Sequence, residues 1–172
     1  MKFATAALLA LGVAANDRIE VFHPSNYKNL MSTLIDGLVH KKFQKTDLGA
    51  TGIVTWKQCS DDVGVFVFDE SATSTDPSPV VKGSDVKLNL GGQVSDTMVV
   101  TNIHVHVLWN GSNLYDQDLK QNNTYDSTYR YTVGWNVPSY APSGHYDVTM
   151  TGTGSSEGTD GTVLCVNAQF DL

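Results

Sequence analysis

Residues 103–112 read IHVHVLWNGS, and the pattern of this stretch indicates the kind of secondary structure in the chain. Its apolar side chains recur at every second residue, and Asn110-Gly111 follows them directly. The alternating apolar residues are Ile103, Val105, Val107 and Trp109. Successive side chains of a β-strand face opposite sides, so these residues share one face. Asn-Gly after such an alternation is a strong hairpin signal. The stretch therefore predicts a half-buried strand that ends in a tight turn.

The same alternation places His104 and His106 together on the other face of the strand. That face is expected to be exposed to solvent. Two histidines at this spacing could supply two ligands of a metal ion, but zinc and copper sites usually have a third or fourth protein ligand. We find no neighbouring cysteine or carboxylate motif, and His145 on another predicted strand is the further candidate. The sequence therefore predicts two solvent-facing histidines, with no metal site and no cofactor.

Short strands are predicted on both sides of this stretch, separated by turn signals such as Gly91-Gly92 and Asp160-Gly161. The predicted strands span 63–68, 84–90, 97–109, 129–136, 144–151 and 161–171. Six or seven short strands separated by such turn signals are typical of a β-sandwich or barrel. The expected fold class is therefore all-β.

The first 50 residues have a different character. Residues 1–15, MKFATAALLALGVAA, have one early lysine, a short apolar run and small residues at the end, which predicts a cleaved secretory signal. Residues 25–43 carry apolar side chains at three- and four-residue spacing, which predicts an amphipathic helix. We divide the chain into the signal peptide at 1–15, a helical N-terminal extension at 16–50 and one domain at 51–172. The helix is interpreted as docking on the sandwich, and the alternatives are a propeptide, a lid or a membrane-touching segment.

Charge and cysteine content narrow the class of protein further. The formal net charge is −7, so nucleic acid is not an expected partner, because phosphate binding needs a basic face. Cys59 and Cys165 are the two cysteines, and they allow one intramolecular bridge in an oxidising compartment. Asn110 and Asn122 begin Asn-x-Ser/Thr sequons and are predicted glycosylation sites. These features predict a secreted protein or one of the endo-lysosomal or vacuolar lumen.

One catalytic sequence pattern is present, but the structural elements and residues that should accompany it are missing from the sequence. GSSEG at 154–158 matches G-x-S-x-G, which presents a nucleophilic serine between a strand and a helix in α/β-hydrolases. A histidine should follow later in the chain, and none follows Ser156. The small residues around Ser156 predict a loop between two strands. The sequence thus contains no convincing catalytic set, and the protein is not expected to be an enzyme.

From Trp56 to the C-terminus the chain resembles the ML domain family. This lipid-recognition fold occurs in phosphatidylglycerol/phosphatidylinositol transfer proteins and in the lysosomal Niemann-Pick cholesterol carrier. The pieces that carry the resemblance are WKQCSDD at 56–62, Pro77 and Pro79 with Gly83, VKLNLGGQV at 86–94, VPSYAPSGHYDVTMTG at 137–152, and DGTVLCVNAQF at 160–170. The resemblance covers about two thirds of the chain, and the ordered set of motifs is more specific than any single piece.

The resemblance implies an immunoglobulin-like β-sandwich with a lipid-binding cavity between its sheets and a first-to-last disulfide, Cys59 to Cys165. It implies a monomeric, soluble lipid-transfer protein that shields sterol, phospholipid or fatty acid and contacts membranes transiently. Strand parity assigns the cavity lining to inward-facing residues. The expected lipid-binding residues are Val86, Leu88, Leu90, Val105, Val107, Trp109, Tyr131, Val133, Trp135, Tyr146, Val148 and Met150, with Tyr140, Ala141 and Pro142 beside the entrance.

Two points stay open at the level of sequence. Residues 115–131, YDQDLKQNNTYDSTYRY, lack the further cysteines that the family often has in mid-domain, and we expect a loop there up to the strand predicted at 129–136. Strand pattern alone also cannot separate a cavity lining from a packed core. The alternative function is therefore a secreted immunoglobulin-like module that binds a protein or glycan through its surface.

Overall fold

The computed structural model describes residues 19–22, 52–59 and 65–172, with backbone alone for 19–22. The predicted signal peptide and the predicted helix at 25–43 lie outside these residues. No helix in the described part of the chain is long and apolar enough to cross a bilayer.

The described residues form strands and one short 3-10 turn at Glu70–Ala72. The strands are β1 (Ile19–Phe22), β2 (Thr55–Gln58), β3 (Phe66–Phe68), β4 (Ser74–Asp76), β5 (Asp85–Val94), β6 (Met98–Trp109), β7 (Ser112–Tyr125), β8 (Thr128–Asn136), β9 (His145–Ser156) and β10 (Thr159–Asp171). Each predicted strand corresponds to one of β3, β5, β6, β8, β9 and β10. The all-β prediction is confirmed.

The strands form two sheets that pack face to face. The first sheet has the order β1-β8-β5-β3, and β4 also pairs with β5. The second sheet has the order β2-β10-β9-β6-β7. The pairs are antiparallel except that β1 runs parallel to β8. This arrangement is consistent with the predicted sandwich, and β1 adds to it a strand from the stretch predicted as an extension.

Residues 115–131 are not a loop, so that prediction is wrong. Most of this stretch lies in β7, and β8 begins at Thr128. β7 is the edge strand of the second sheet, and several of its inward positions are polar, including Gln117 and Gln121. An edge strand with few apolar residues has a weak period-two signal, which is why the pattern missed it.

The prediction of a loop around Ser156 is also wrong. β9 and β10 continue as a long hairpin, and its two-residue turn is Glu157-Gly158, where φ is 51° and 75°. Asp160-Gly161, predicted as the turn, lies within β10 and pairs with Gly154 and Ser155. Gly154 is required here because a Cβ at this position would come within 1.8 Å of the carbonyl oxygen of Val99. The short side chains mark a close strand approach, not a loop.

The turn after β6 forms as the opening stretch predicts. Asn110 and Gly111 both have positive φ, 47° and 77°, which a two-residue hairpin turn requires. The alternation also holds, because Ile103, Val105 and Val107 are buried while the histidines between them are half-buried. The strand therefore contributes one apolar face to the space between the sheets.

The disulfide between Cys59 and Cys165 forms, with 5.3 Å between the two Cα atoms. Cys59 directly follows β2 and Cys165 lies in β10, so the bond joins neighbouring strands of the same sheet. It closes a loop of 106 residues. The chain has no other cysteine, so noncovalent packing and the connecting loops hold the two sheets together.

Replacing both Cys59 and Cys165 with serine is expected to lower the free energy of unfolding by about 2–5 kcal/mol, because the unfolded chain gains loop entropy. Urea unfolding monitored by tryptophan fluorescence measures the change. The native protein in reductant should lose the same stability. An unchanged unfolding midpoint in the double variant would contradict the prediction.

Candidate functional site

The predicted lipid-binding residues of the strands all face the space between the sheets. Every one of the strand residues named above, from Val86 to Met150, is at most 8% exposed. They occupy β5 and β8 of the first sheet and β6 and β9 of the second. The fold therefore brings them into one apolar layer.

An apolar cavity lies inside this layer. Its volume is about 20 Å³, and it is lined by Leu88, Val105, Val107, Val133, Trp135 and Val148. All six belong to the set predicted from strand parity. The cavity has room for little more than one small group, so the two sheets are closely packed in this conformation.

An aromatic cluster closes the layer beside the cavity. Tyr146 stacks on Phe170 with ring centroids 5.4 Å apart, and Trp135 packs against both rings. The Tyr146 hydroxyl donates to the carbonyl oxygen of Pro142 at 2.8 Å. This bond ties the loop between β8 and β9 to the interior.

The three predicted entrance residues differ in exposure. Tyr140 is 57% exposed, Ala141 is buried and Pro142 is half-buried. The neighbouring loop also carries an exposed apolar side chain, Val81, and Lys82 of that loop donates to the Ser143 hydroxyl at 2.8 Å. The two loops thus form one end of the sandwich with apolar side chains in solvent.

The other end of the interior is polar, which the sequence did not predict. Asn123 donates to Gln121 Oε1 at 2.9 Å and to the Tyr125 hydroxyl at 3.4 Å. The Tyr125 ring lies 4.6 Å from the Tyr129 ring between centroids. The Gln121 side-chain amide nitrogen and the Tyr129 hydroxyl are both buried, and neither has a hydrogen-bond partner among the described residues.

Burial raises the pKa of the Tyr129 phenol well above its ordinary value, and the neighbouring phenols Tyr125 and Tyr131 raise it further. Tyr129 therefore stays neutral and can donate a hydrogen bond. A buried group without a partner costs about 1–3 kcal/mol, so this end of the interior is poised to accept a polar atom. Tyr129 lies six residues from Trp135 along β8, about 20 Å in an extended strand.

A second cluster lies on the outer face of the second sheet. The register pairs His104 with Asp118 and His106 with Asp116 across β6 and β7. The sequence showed no carboxylate motif beside the histidines, because these aspartates become neighbours only through strand pairing. The ligand atoms of His104, His106 and Asp116 lie within 4.8 Å of one another.

His145, the third candidate at the sequence level, does not join this cluster. Its Nδ1 contacts Asp171 Oδ1 at 3.0 Å, and the two residues are register partners on β9 and β10.

Ser156 is half-buried at the end of β9 and is followed by the hairpin turn and β10, so it lacks the helix of a hydrolase elbow. The sequon residues Asn110 and Asn122 are both exposed, and their glycosylation remains a prediction.

Neither a protein-family model nor a curated protein matches the chain. Among solved structures, the chain is similar to a protein from Archaeoglobus fulgidus at 12% identity and a TM-score of 0.39. That alignment covers 69% of this chain and 95% of the other. A similarity at this level bears on neither ligand nor activity.

The Tyr129→Phe substitution is expected to leave the free energy of unfolding unchanged or to raise it by about 1 kcal/mol, because it removes a buried hydroxyl without a partner. Tyr146→Phe is the matched control and should cost about 1 kcal/mol, because it removes the hydrogen bond to Pro142. Urea unfolding of the lipid-free proteins measures both. A clear loss of stability in Tyr129→Phe would contradict the assignment.

The pKa of the Asp116 carboxyl is lowered, chiefly by its hydrogen bond with His106. This interaction stabilises the fold at pH values above the ordinary aspartate pKa and is lost as pH falls through the lowered value. In His106→Gln the pKa of Asp116 should rise toward its ordinary range in an NMR titration. His145→Gln should leave it unchanged, and equal rises in both variants would contradict the assignment.

Proposed function

We propose that the protein is a lipid carrier of the ML type, which holds sterol, phospholipid or fatty acid between its two sheets and transfers it between membranes. The observation that carries this proposal is the cavity at the centre of the apolar layer. Its lining consists entirely of residues that strand parity and the family resemblance assign to the lipid slot.

A lipid can enter only if the sheets separate, because the cavity itself holds about 20 Å³. Each methylene moved from water into an apolar interior contributes about 0.8 kcal/mol, so a long acyl chain supplies on the order of 10 kcal/mol. Contacts between chain and sheet replace the contacts between sheets that opening removes. The ligand itself therefore offsets the cost of opening.

The position of the disulfide permits this motion. The bond links β2 to β10 within the second sheet and leaves the distance between the sheets free of a covalent constraint. A disulfide is typical of oxidising compartments, which fits a secreted carrier. The lysosomal or vacuolar lumen is the finer proposal, made from the resemblance.

The polar end of the interior supplies recognition of a head group or hydroxyl. The Gln121 amide and the Tyr129 hydroxyl are buried donors that a ligand hydroxyl or carboxylate can satisfy. Pairing removes the cost of leaving them unpaired, which favours lipids with a polar atom at one end over plain hydrocarbons.

The opposite end suits contact with a membrane. Ile53, Val81 and Tyr140 are each about half exposed or more. Backbone hydrogen bonds bring their segments together, since Val80 donates to Gly52 and Gly83 donates to Val137. Apolar side chains at one end can insert into the interface of a bilayer while the lipid moves.

The close packing of the sheets favours a second candidate, a secreted immunoglobulin-like module with a solid core that binds a partner through its surface. The same experiment separates the two. The secreted protein is extracted with organic solvent, and the extract is analysed by lipid mass spectrometry. The delipidated protein is then titrated with a fluorescent sterol and a fluorescent fatty acid.

Two substitutions at one cavity position provide the structural test. Val148→Ile fills the cavity and is expected to weaken probe binding at least fivefold with little loss of stability. Val148→Ala enlarges it and should bind as well as the native protein or better, at a stability cost of about 2 kcal/mol. Val67→Ile, on the exposed face of β3, is the matched control and should change neither property.

A bound lipid near one per chain, with binding that responds to Val148 and not to Val67, supports the carrier. An empty extract together with no binding of either probe would instead establish a packed sandwich and move the search to its surface.

A further inference from the structure

We propose that His104, His106 and Asp116 bind a divalent transition-metal ion, with Zn²⁺ as the expected species, on the outer face of the second sheet. Within the described residues, these are the side chains grouped closely enough for three protein ligands. The site is independent of the lipid proposal, because it uses the opposite face of the sheet.

The atoms that would bind the ion already converge. His106 Nδ1 lies 2.5 Å from Asp116 Oδ1, and His104 Nε2 lies 3.2 Å from the same oxygen. Ligand atoms of a tetrahedral zinc ion, each at about 2.0–2.1 Å from the metal, are roughly 3.3 Å apart. Side-chain rotations that move these ligand atoms by about one ångström or less therefore convert the present contacts into a coordination sphere.

The neighbouring residues prepare His104 as a ligand. Its Nδ1 contacts Asp118 Oδ1 at 3.0 Å, and Asn102 donates to the same oxygen at 2.9 Å. A carboxylate at Nδ1 keeps the proton on that nitrogen and leaves the lone pair on Nε2, which faces Asp116. Asp118 is thus a positioning residue, of the kind found behind histidine ligands of zinc.

The Asp116 carboxylate is oriented in the same way. Asn113 donates to its Oδ2 at 2.6 Å, while its Oδ1 faces both histidines. A divalent cation between these three atoms would be bound by the lone pairs of both histidine nitrogens and of the carboxylate oxygen.

The ligand set indicates the class of metal. Two imidazoles and one carboxylate suit Zn²⁺, Cu²⁺ or Ni²⁺, whereas Ca²⁺ and Mg²⁺ require oxygen ligands. The side chains of His104 and Asp116 are 42% and 41% exposed, so an ion can enter from solvent and keep a water as a further ligand. Three protein ligands with one open position are sufficient for an exchangeable zinc site.

The same sheet contains a matched control. His145 and Asp171 form a cross-strand pair at 3.0 Å with similar exposure, but this pair has one histidine. A histidine paired with an aspartate on a sheet surface can be a plain ion pair, and His145 represents that case. Among the histidines that the structure describes, only those of the β6–β7 cluster share a carboxylate oxygen.

The test uses the tag-free protein, stripped with chelator and titrated with ZnCl₂ in a calorimeter, with CaCl₂ as the comparison salt. We expect one Zn²⁺ per chain. His104→Gln, His106→Gln and Asp116→Asn should each weaken binding at least tenfold. His145→Gln should bind as the native protein does, and CaCl₂ should give no binding heat.

Two further measurements separate a metal site from a structural role. Zinc should shift the ¹⁵N resonances of the His104 and His106 rings and leave those of His145 unchanged, and Asp118→Asn should weaken binding about tenfold. Circular dichroism confirms that each variant is folded. Absence of Zn²⁺ binding to the native protein, or binding that persists in the His104 and His106 variants, overturns the proposal.

Discussion

The two sheets are held together by the packing of their apolar faces against each other. Each sheet presents every second side chain to the other, and the buried residues of β5, β6, β8 and β9 form one continuous layer. The disulfide does not cross this layer, because both cysteines lie in the second sheet. Cohesion between the sheets therefore depends on apolar contact, and in the proposed function a lipid chain would replace that contact without breaking a covalent bond.

The chemical character of the side chains in the interior changes from one end of the sandwich to the other. Near the loop after β8 it is aromatic and tied to Pro142 through the Tyr146 hydroxyl. In the middle it is lined by valines around a small cavity. Near the connection between β7 and β8, which passes from the second sheet to the first, the interior becomes polar. There the Gln121 amide nitrogen and the Tyr129 hydroxyl are buried and have no hydrogen-bond partner among the described residues. A packed core gains nothing from such unpaired donors, whereas a slot for an amphipathic ligand needs polar groups at a defined depth.

The outer face of the second sheet follows from the same alternation. Residues between the inward-facing valines of β6 point to solvent, and β7 brings its own outward residues beside them. Two histidines and two aspartates meet there because of register, not because of sequence proximity. The sheet thus separates the apolar layer inside from the cluster of His104, His106 and Asp116 outside, where we propose a metal site.

The sequence was sufficient to predict the all-β class, the inward face of each regular strand and the Asn110-Gly111 turn, because these depend on local alternation. Its two cysteines allow one intramolecular bridge. The sequence did not reveal β7, whose polar inward residues hide the period, or the continuation of the β9–β10 hairpin through its small residues. The size of the cavity, the polar end at Gln121 and Tyr129, and the position of Asp116 beside His104 and His106 became visible once the strands were assembled. Each of these depends on how strands distant in sequence pair and on how closely the sheets approach, and neither quantity is encoded in the pattern of any single strand.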